Sequence, residues 1–253
     1  MAIEKEMSLF EHIKEMRQRI FRAVIAVIAT TVVASFFVEN YILDWLLKPL
    51  DNVENVKIIV LSPPESAIMY FKIALIVGFG AALPYVLYQI YGFVAPGLYK
   101  EERATFLFGI PISLILFVLG GLFTVEILLP PSMGVLSNIF AEKVESQYSL
   151  EFYLSFFSTL ILWMGLLFQT PLIIYVIARL GGVTPKTLGK GRRLVIFLAA
   201  ILAAVITPTP DPFTMLLVTA PFIVLYEIGI LLSHIAVRQR ARKEAEREAE
   251  LAA

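Results

Sequence analysis

The chain contains no cysteine, so disulfides, thiol nucleophiles and thiolate metal sites are all excluded. Histidine is almost as scarce. His12 precedes the first long apolar run and His234 follows the last, which leaves no imidazole at membrane depth to activate a serine for intramembrane proteolysis. Also missing are His-Glu-x-x-His, Gly-x-Ser-x-Gly and Gly-Lys-Ser/Thr, the patterns that hold zinc, present a nucleophilic serine and cradle phosphate. These absences argue against an enzyme, a catalytic residue set, a metal or an organic cofactor, and they leave binding, transport or insertion. Charged residues make up 17% of the 253 positions against 58% hydrophobic, far from the balance of a soluble domain. Nothing in that balance suggests nucleic acid as a partner.

What the chain has instead is six apolar runs, approximately Phe21 to Tyr41, Ala67 to Ile90, Phe106 to Leu128, Leu154 to Ala178, Leu194 to Thr207 and Phe213 to Leu232. Crossing a hydrocarbon core of about 30 Å takes about 20 predominantly apolar residues, and five of the runs meet that length. The fifth in order, Leu194 to Thr207, has 14 residues, roughly 21 Å of helix, so it calls for local thinning, snorkelling or burial in protein. The predicted fold is all-α: a polytopic membrane protein with six transmembrane helices.

Of the 21 Lys and Arg, 17 lie in alternate gaps: the N-terminal segment (Lys5, Lys14, Arg17, Arg19, Arg22), the second gap (Lys100, Arg103), the fourth (Arg179, Lys186, Lys190, Arg192, Arg193) and the tail from Arg238. Basic flanks resist translocation, so that side, including both termini, is expected in the cytoplasm, with the spans in the cytoplasmic (inner) membrane. The first run follows a long polar stretch and is itself too long for an ordinary cleaved signal peptide, so it is expected to remain as an anchor. The organisation read here is one transmembrane domain over residues 1–237, with an amphipathic cytoplasmic start, followed by a charged tail over 238–253.

The two large extracytoplasmic gaps, Ile42 to Ser66 and Leu129 to Tyr153, mix proline, acids and apolar residues such as Leu46, Leu47, Pro49, Val135, Leu136, Ile139 and Phe140. They predict short amphipathic helices capping the bundle. Pro130 and Pro131 predict the end of the third helix, because proline lacks the amide that continues one. Pro208 to Pro212 joins the last two spans and predicts a tight hairpin. Pro84, Pro111, Pro171 and Pro221 sit inside spans and predict kinks, hence a curved, concave bundle.

Ionisable or amide groups at membrane depth are costly and usually face a partner or water. Glu227 in the last span and Gln169 in the fourth are the deep ones. Lining a wetted concavity or joining helices by hydrogen bonds are the two roles open to them. Lys72 and Glu126 lie near the extracytoplasmic ends, where snorkelling outward is the natural expectation.

Two cytoplasmic patches carry the most pattern. The first runs from Ser8 to Ile20, with Leu9, Ile13, Met16 and Ile20 on one stripe and Glu11, Glu15 and Arg19 on another. The second is Phe93-Val94-Ala95-Pro96-Gly97-Leu98-Tyr99-Lys100-Glu101-Glu102-Arg103. Read as residues, Glu15 pairs with Arg19 at i,i+4 and Glu101 and Glu102 are solvated.

With these patches the chain resembles the TatC family, the multispanning receptor component of the twin-arginine protein translocase. The likeness extends through Leu47-Lys48-Pro49-Leu50, Pro84-Tyr85-Val86-Leu87-Tyr88-Gln89, Ala95-Pro96-Gly97-Leu98-Tyr99, Thr207-Pro208 to Asp211, and Glu227-Ile228-Gly229. It implies binding of signal peptides that carry two adjacent arginines. By the same resemblance, Glu15 and Glu102 fall on the positions associated with the arginine pair, and Phe93 and Arg17 share that area. Gln169, Asp211 and Glu227 become candidate intramembrane or partner contacts, and Pro49, Pro84 and Pro96 candidate structural residues. Implied partners are folded precursors, single-span TatA- and TatB-type subunits, the lipid bilayer and further copies of the chain within a hetero-complex. Gln169 stands where the family often has glutamate, which keeps polarity at that depth and loses charge. A secondary transporter of a small molecule or ion is the alternative; it predicts paired repeats and broken helices at the midplane, and the sequence shows no internal repeat.

Overall fold

A computed structural model describes residues 9–49, 56–95, 100–132, 146–207 and 211–252. Its elements are α1 (Leu9–Phe37), α2 (Leu43–Leu47), β1 (Val56–Ile59), α3 (Pro63–Val94), α4 (Lys100–Phe123), β2 (Ser146–Ser149), α5 (Leu150–Leu167), α6 (Thr170–Arg179), α7 (Pro185–Ile206) and α8 (Pro212–Ala252). Among the described residues, five helical segments are long and apolar enough to cross a membrane: Phe10–Leu47, Pro63–Val94, Phe106–Ser132, Leu150–Arg179 and Pro212–Arg242. The predicted fifth crossing falls in α7, whose first half carries Lys186, Lys190, Arg192 and Arg193. Many large apolar side chains on these helices face outward, among them Phe21, Phe36, Phe71, Phe108, Ile115 and Leu216. That is the arrangement of a chain whose solvent is lipid.

Helix α1 runs antiparallel along α3. Thr30 donates its hydroxyl to the Gly78 carbonyl at 2.7 Å, and Tyr70 donates to the Ser35 carbonyl at 2.5 Å. The backbones can come this close because Gly78 has no side chain: a Cβ there would stand 2.5 Å from both N and Cα of Thr31. Phe117 of α4 is wedged between two further glycines, since a Cβ on Gly80 of α3 or Gly165 of α5 would stand 2.3 or 2.5 Å from its ring. Such small-residue contacts are how helices associate in lipid, where apolar surface gains little from leaving its neighbours.

The main core gathers at the end of the bundle away from the start of α1, around Leu46, Met69, Leu128, Leu129, Tyr153, Phe157 and Leu160. There the structure departs from the predicted capping helices. The two gap segments meet as a parallel strand pair, Val56 opposite Ser146 through Ile59 opposite Ser149. Glu65, 1% exposed, ties this end together by accepting the amides of Leu61 (2.7 Å), Ser62 (3.2 Å) and Glu151 (2.6 Å). A short helix does form in the first gap, α2, and a buried Pro49 follows it. In the second gap, Val135, Leu136, Ile139 and Phe140 lie outside the described residues, as do Pro208 to 210 of the last hairpin.

Pro130 and Pro131 do not stop the third helix, which continues to Ser132. The turn before them, Thr124–Leu128, is π-helical, with the Leu129 amide bonded to the Thr124 carbonyl. Widening of that turn precedes the two missing proline amides, and Ser132 returns a side-chain bond to the Leu128 carbonyl at 2.7 Å. The fourth span, by contrast, breaks at Phe168–Gln169, and Pro171 sits in the first turn of α6. Pro84, Pro111 and Pro221 stay within continuous helices. Helix α8, 41 residues long, runs on into the charged tail.

Candidate functional site

At the end where α1 begins, the last turn of α3 lies beside it. The His12 ring stacks on Phe93 with centroids 4.3 Å apart and planes 24° from parallel. Arg19 donates Nε (2.9 Å) and Nη2 to Glu15 Oε1. The same guanidinium lies over Gly92, where a Cβ would stand 2.0 Å from Arg19 Nη1. Thus the i,i+4 pair expected from the sequence forms, but it engages one carboxylate oxygen. The other, Glu15 Oε2, is buried with no hydrogen-bond partner among the described residues. A buried carboxylate oxygen without a donor is a strong acceptor for a cationic group brought from outside.

Of the other residues predicted for the site, Phe93 and Arg17 lie at this corner. Phe93 is half-buried and Arg17 exposed. Glu102 lies in the first turn of α4, which starts at Lys100; its side chain and Pro96 lie outside the described residues. A ladder of rings, Tyr85, Tyr88, Tyr91 and Phe106, connects α3 to α4 with centroid spacings of 6.4, 6.2 and 5.5 Å.

The deep polar residues are engaged separately. Gln169 donates Nε2 to the carbonyls of Ser113 (3.0 Å) and Gly165 (3.2 Å), joining α4 to the break in the fourth span. Glu227 receives Arg192 bidentately, Nε and Nη2 each at 2.7 Å, so α8 is clamped to α7. They therefore do not form a pair. Asp211 caps α8 by accepting the Thr214 amide at 2.7 Å. Lys72 reaches across to α5 rather than outward, donating to Ser155 Oγ at 2.6 Å and Thr159 Oγ1 at 3.3 Å. A close acceptor on a neighbouring helix satisfies an ammonium that would otherwise have to extend to water. Glu126 accepts the Trp45 indole N–H at 3.4 Å.

Residues 11–221 match the family model described as Sec-independent protein translocase protein (TatC). The chain belongs to the TatC family. Its TatC relatives include one from Aquifex aeolicus, 35% identical over 237 residues that cover 92% of this chain and 98% of the relative. Another, from Carboxydothermus hydrogenoformans, is 34% identical, with coverages of 91% and 94%. A crystal structure of the twin arginine translocase receptor TatC aligns with a TM-score of 0.78 at 35% identity, covering 89% of this chain and 99% of that one. A second, in the detergent DDM, aligns at 0.79 and 34%, with coverages of 88% and 99%.

TatC membership sets aside the small-molecule transporter reading. Neither the close approach at Gly92 nor the packing role of His12 is written in the sequence pattern. Gly92 makes room for the Arg19 guanidinium, and His12 stacks on Phe93. The i,i+4 spacing of Glu15 and Arg19 was the one local signal of this arrangement, and it did not reveal which helix the pair would lie on.

Proposed function

We propose that the chain is the core receptor subunit of the twin-arginine translocase: it binds twin-arginine signal peptides of folded proteins and organises their export. It resides in the cytoplasmic membrane and crosses it six times, α7 being the short fifth crossing, with both ends in the cytoplasm. The segregation of basic residues supports that orientation. Single-span TatA- and TatB-type subunits and further copies of the chain complete the complex.

In this reading Glu15 and Glu102 each accept one arginine of the signal, Phe93 supplies an apolar wall, and Arg17 borders the site. The observation that carries it is the state of Glu15: Arg19 fixes the carboxylate through Oε1, while the buried Oε2 has no donor among the described residues. Arg19 acts here as a positioning group. A planar guanidinium matches a carboxylate in a way that an ammonium, a point charge, does not. Gln169, Asp211 and Glu227 are each bonded within the chain, and any partner contact adds to those bonds.

The test is Glu102→Ala, measured for precursor binding and for detergent melting in one preparation. A charge-assisted bond is worth about 1.5 to 3 kcal/mol, so affinity is expected to fall about 10- to 150-fold. Melting is expected to change little, because a carboxylate in the first turn after a loop contributes little to the bundle. Equal affinity for variant and parent defeats the assignment.

A further inference from the structure

Burying an oxygen without a hydrogen-bond donor is unfavourable, so each such atom calls for an explanation. Among the described residues four side-chain oxygens are in that state: Glu15 Oε2, Gln89 Oε1, Gln169 Oε1 and Thr214 Oγ1. Two of them lie at the same corner of the bundle. Gln89 is 5% exposed and belongs to the last two turns of α3. It precedes Gly92 by three residues and Phe93 by four, so it shares their helix face one turn deeper. That face is the one α1 covers, with His12 on Phe93 and Arg19 on Gly92. Arg19 directs Nε and Nη2 to Glu15 Oε1. The Gln89 oxygen remains without a donor from it.

We infer that Gln89 is a third recognition group of the signal-peptide site, its amide oxygen accepting a guanidinium N–H from the arginine that Glu15 binds. The inference rests on the receptor reading above. A guanidinium presents five N–H groups in one plane, enough to reach a carboxylate and still offer a donor to a neutral carbonyl beside it. The three donors of an ammonium radiate from one nitrogen and do not span two acceptors held at different depths. A neutral second acceptor therefore adds discrimination between arginine and lysine without adding charge.

The test titrates full-length protein in lipid nanodiscs with four synthetic signal peptides that differ in the pair: Arg-Arg, Arg-Lys, Lys-Arg and Lys-Lys. Gln89→Met removes the amide while keeping the length of the side chain. Arg-Arg binding is expected to weaken about tenfold, while one of the two single-lysine peptides binds variant and parent equally. Parental affinity for all four peptides, or one common loss across them, overturns the inference. Gln89→Glu keeps an acceptor and is expected to hold Arg-Arg at least as tightly as the parent. Where Gln89→Met melts too early to be titrated, loss of the Arg-Arg preference in Gln89→Glu is the overturning result. If the parent binds Arg-Arg and Lys-Lys alike, the receptor reading fails and this inference falls with it. If the parent discriminates and Gln89→Met does so equally, this inference alone is wrong.

Discussion

The spacing of α1 from α3 sets where Glu15 stands relative to Phe93, and Gly78 sets that spacing. In Gly78→Ala the new methyl would lie 2.5 Å from the N and Cα of Thr31. Both are backbone atoms that no rotamer change can move, so α1 must recede by about 1 Å to reach ordinary contact. Overpacking of this kind costs about 1 to 3 kcal/mol. The 2.7 Å bond from Thr30 to the Gly78 carbonyl stretches with it, and bonds between membrane helices average about 0.6 kcal/mol. A total loss of about 2 to 4 kcal/mol is expected, seen as earlier melting in detergent. Arg-Arg peptide affinity should fall at least severalfold, because a recognition pair tolerates little displacement. Gly120→Ala is the control. Its methyl would stand 2.8 Å from the Gly165 Cα and the Met164 carbonyl, about 30 Å along α4 from its first residue, so it should melt early and bind normally. Parental melting of Gly78→Ala, or equal binding losses in the two variants, would show that Gly78 does not set the spacing at the site.

Three further outcomes follow from the polar contacts. Glu65→Ala removes the carboxylate that accepts the amides of Leu61, Ser62 and Glu151, so it should loosen the join between the start of α3 and the start of α5, read as earlier melting or lower folded yield. Gln169→Leu deletes the Nε2 bonds to the Ser113 and Gly165 carbonyls that join α4 to the break in the fourth span, and it should melt earlier than the parent. In a double-mutant cycle, Arg192→Ala and Glu227→Ala should couple by about 1 kcal/mol or less, since the side chains are 51% and 41% exposed and screened.

The long apolar runs made five crossings legible, because a span is a local property of some 20 residues. Pro171 marked the break that Phe168 and Gln169 make. The strand pair was not legible: Val56–Ile59 and Ser146–Ser149 are four residues each and find each other across most of two helices, so neither carries a period of its own. Glu65 offered a clue that went unread, a Ser-x-x-Glu pattern at Ser62 that opens α3. Its amide contact from Glu151 had no such signal. Pro130 and Pro131 misled because a π turn, which depends on packing around Thr124 and Val125, is not written in the prolines. At the site, Glu15 and Phe93 were found through motif resemblance. Their apposition depends on Gly78 and Gly92, glycines whose importance lies in what another helix places against them.

Photocrosslinking with a probe at position 102, and separately at position 93, asks whether the arginine pair of a signal docks at this corner. Membranes containing the protein are irradiated with a folded precursor bearing either Arg-Arg or Lys-Lys in its signal. Crosslinks are expected from both positions to the signal segment of the Arg-Arg precursor, greatly reduced for Lys-Lys and reduced likewise when Glu15 is changed to Gln. Crosslinks that ignore the arginine pair, or that fall on the folded part of the precursor while sparing its signal, would contradict docking there.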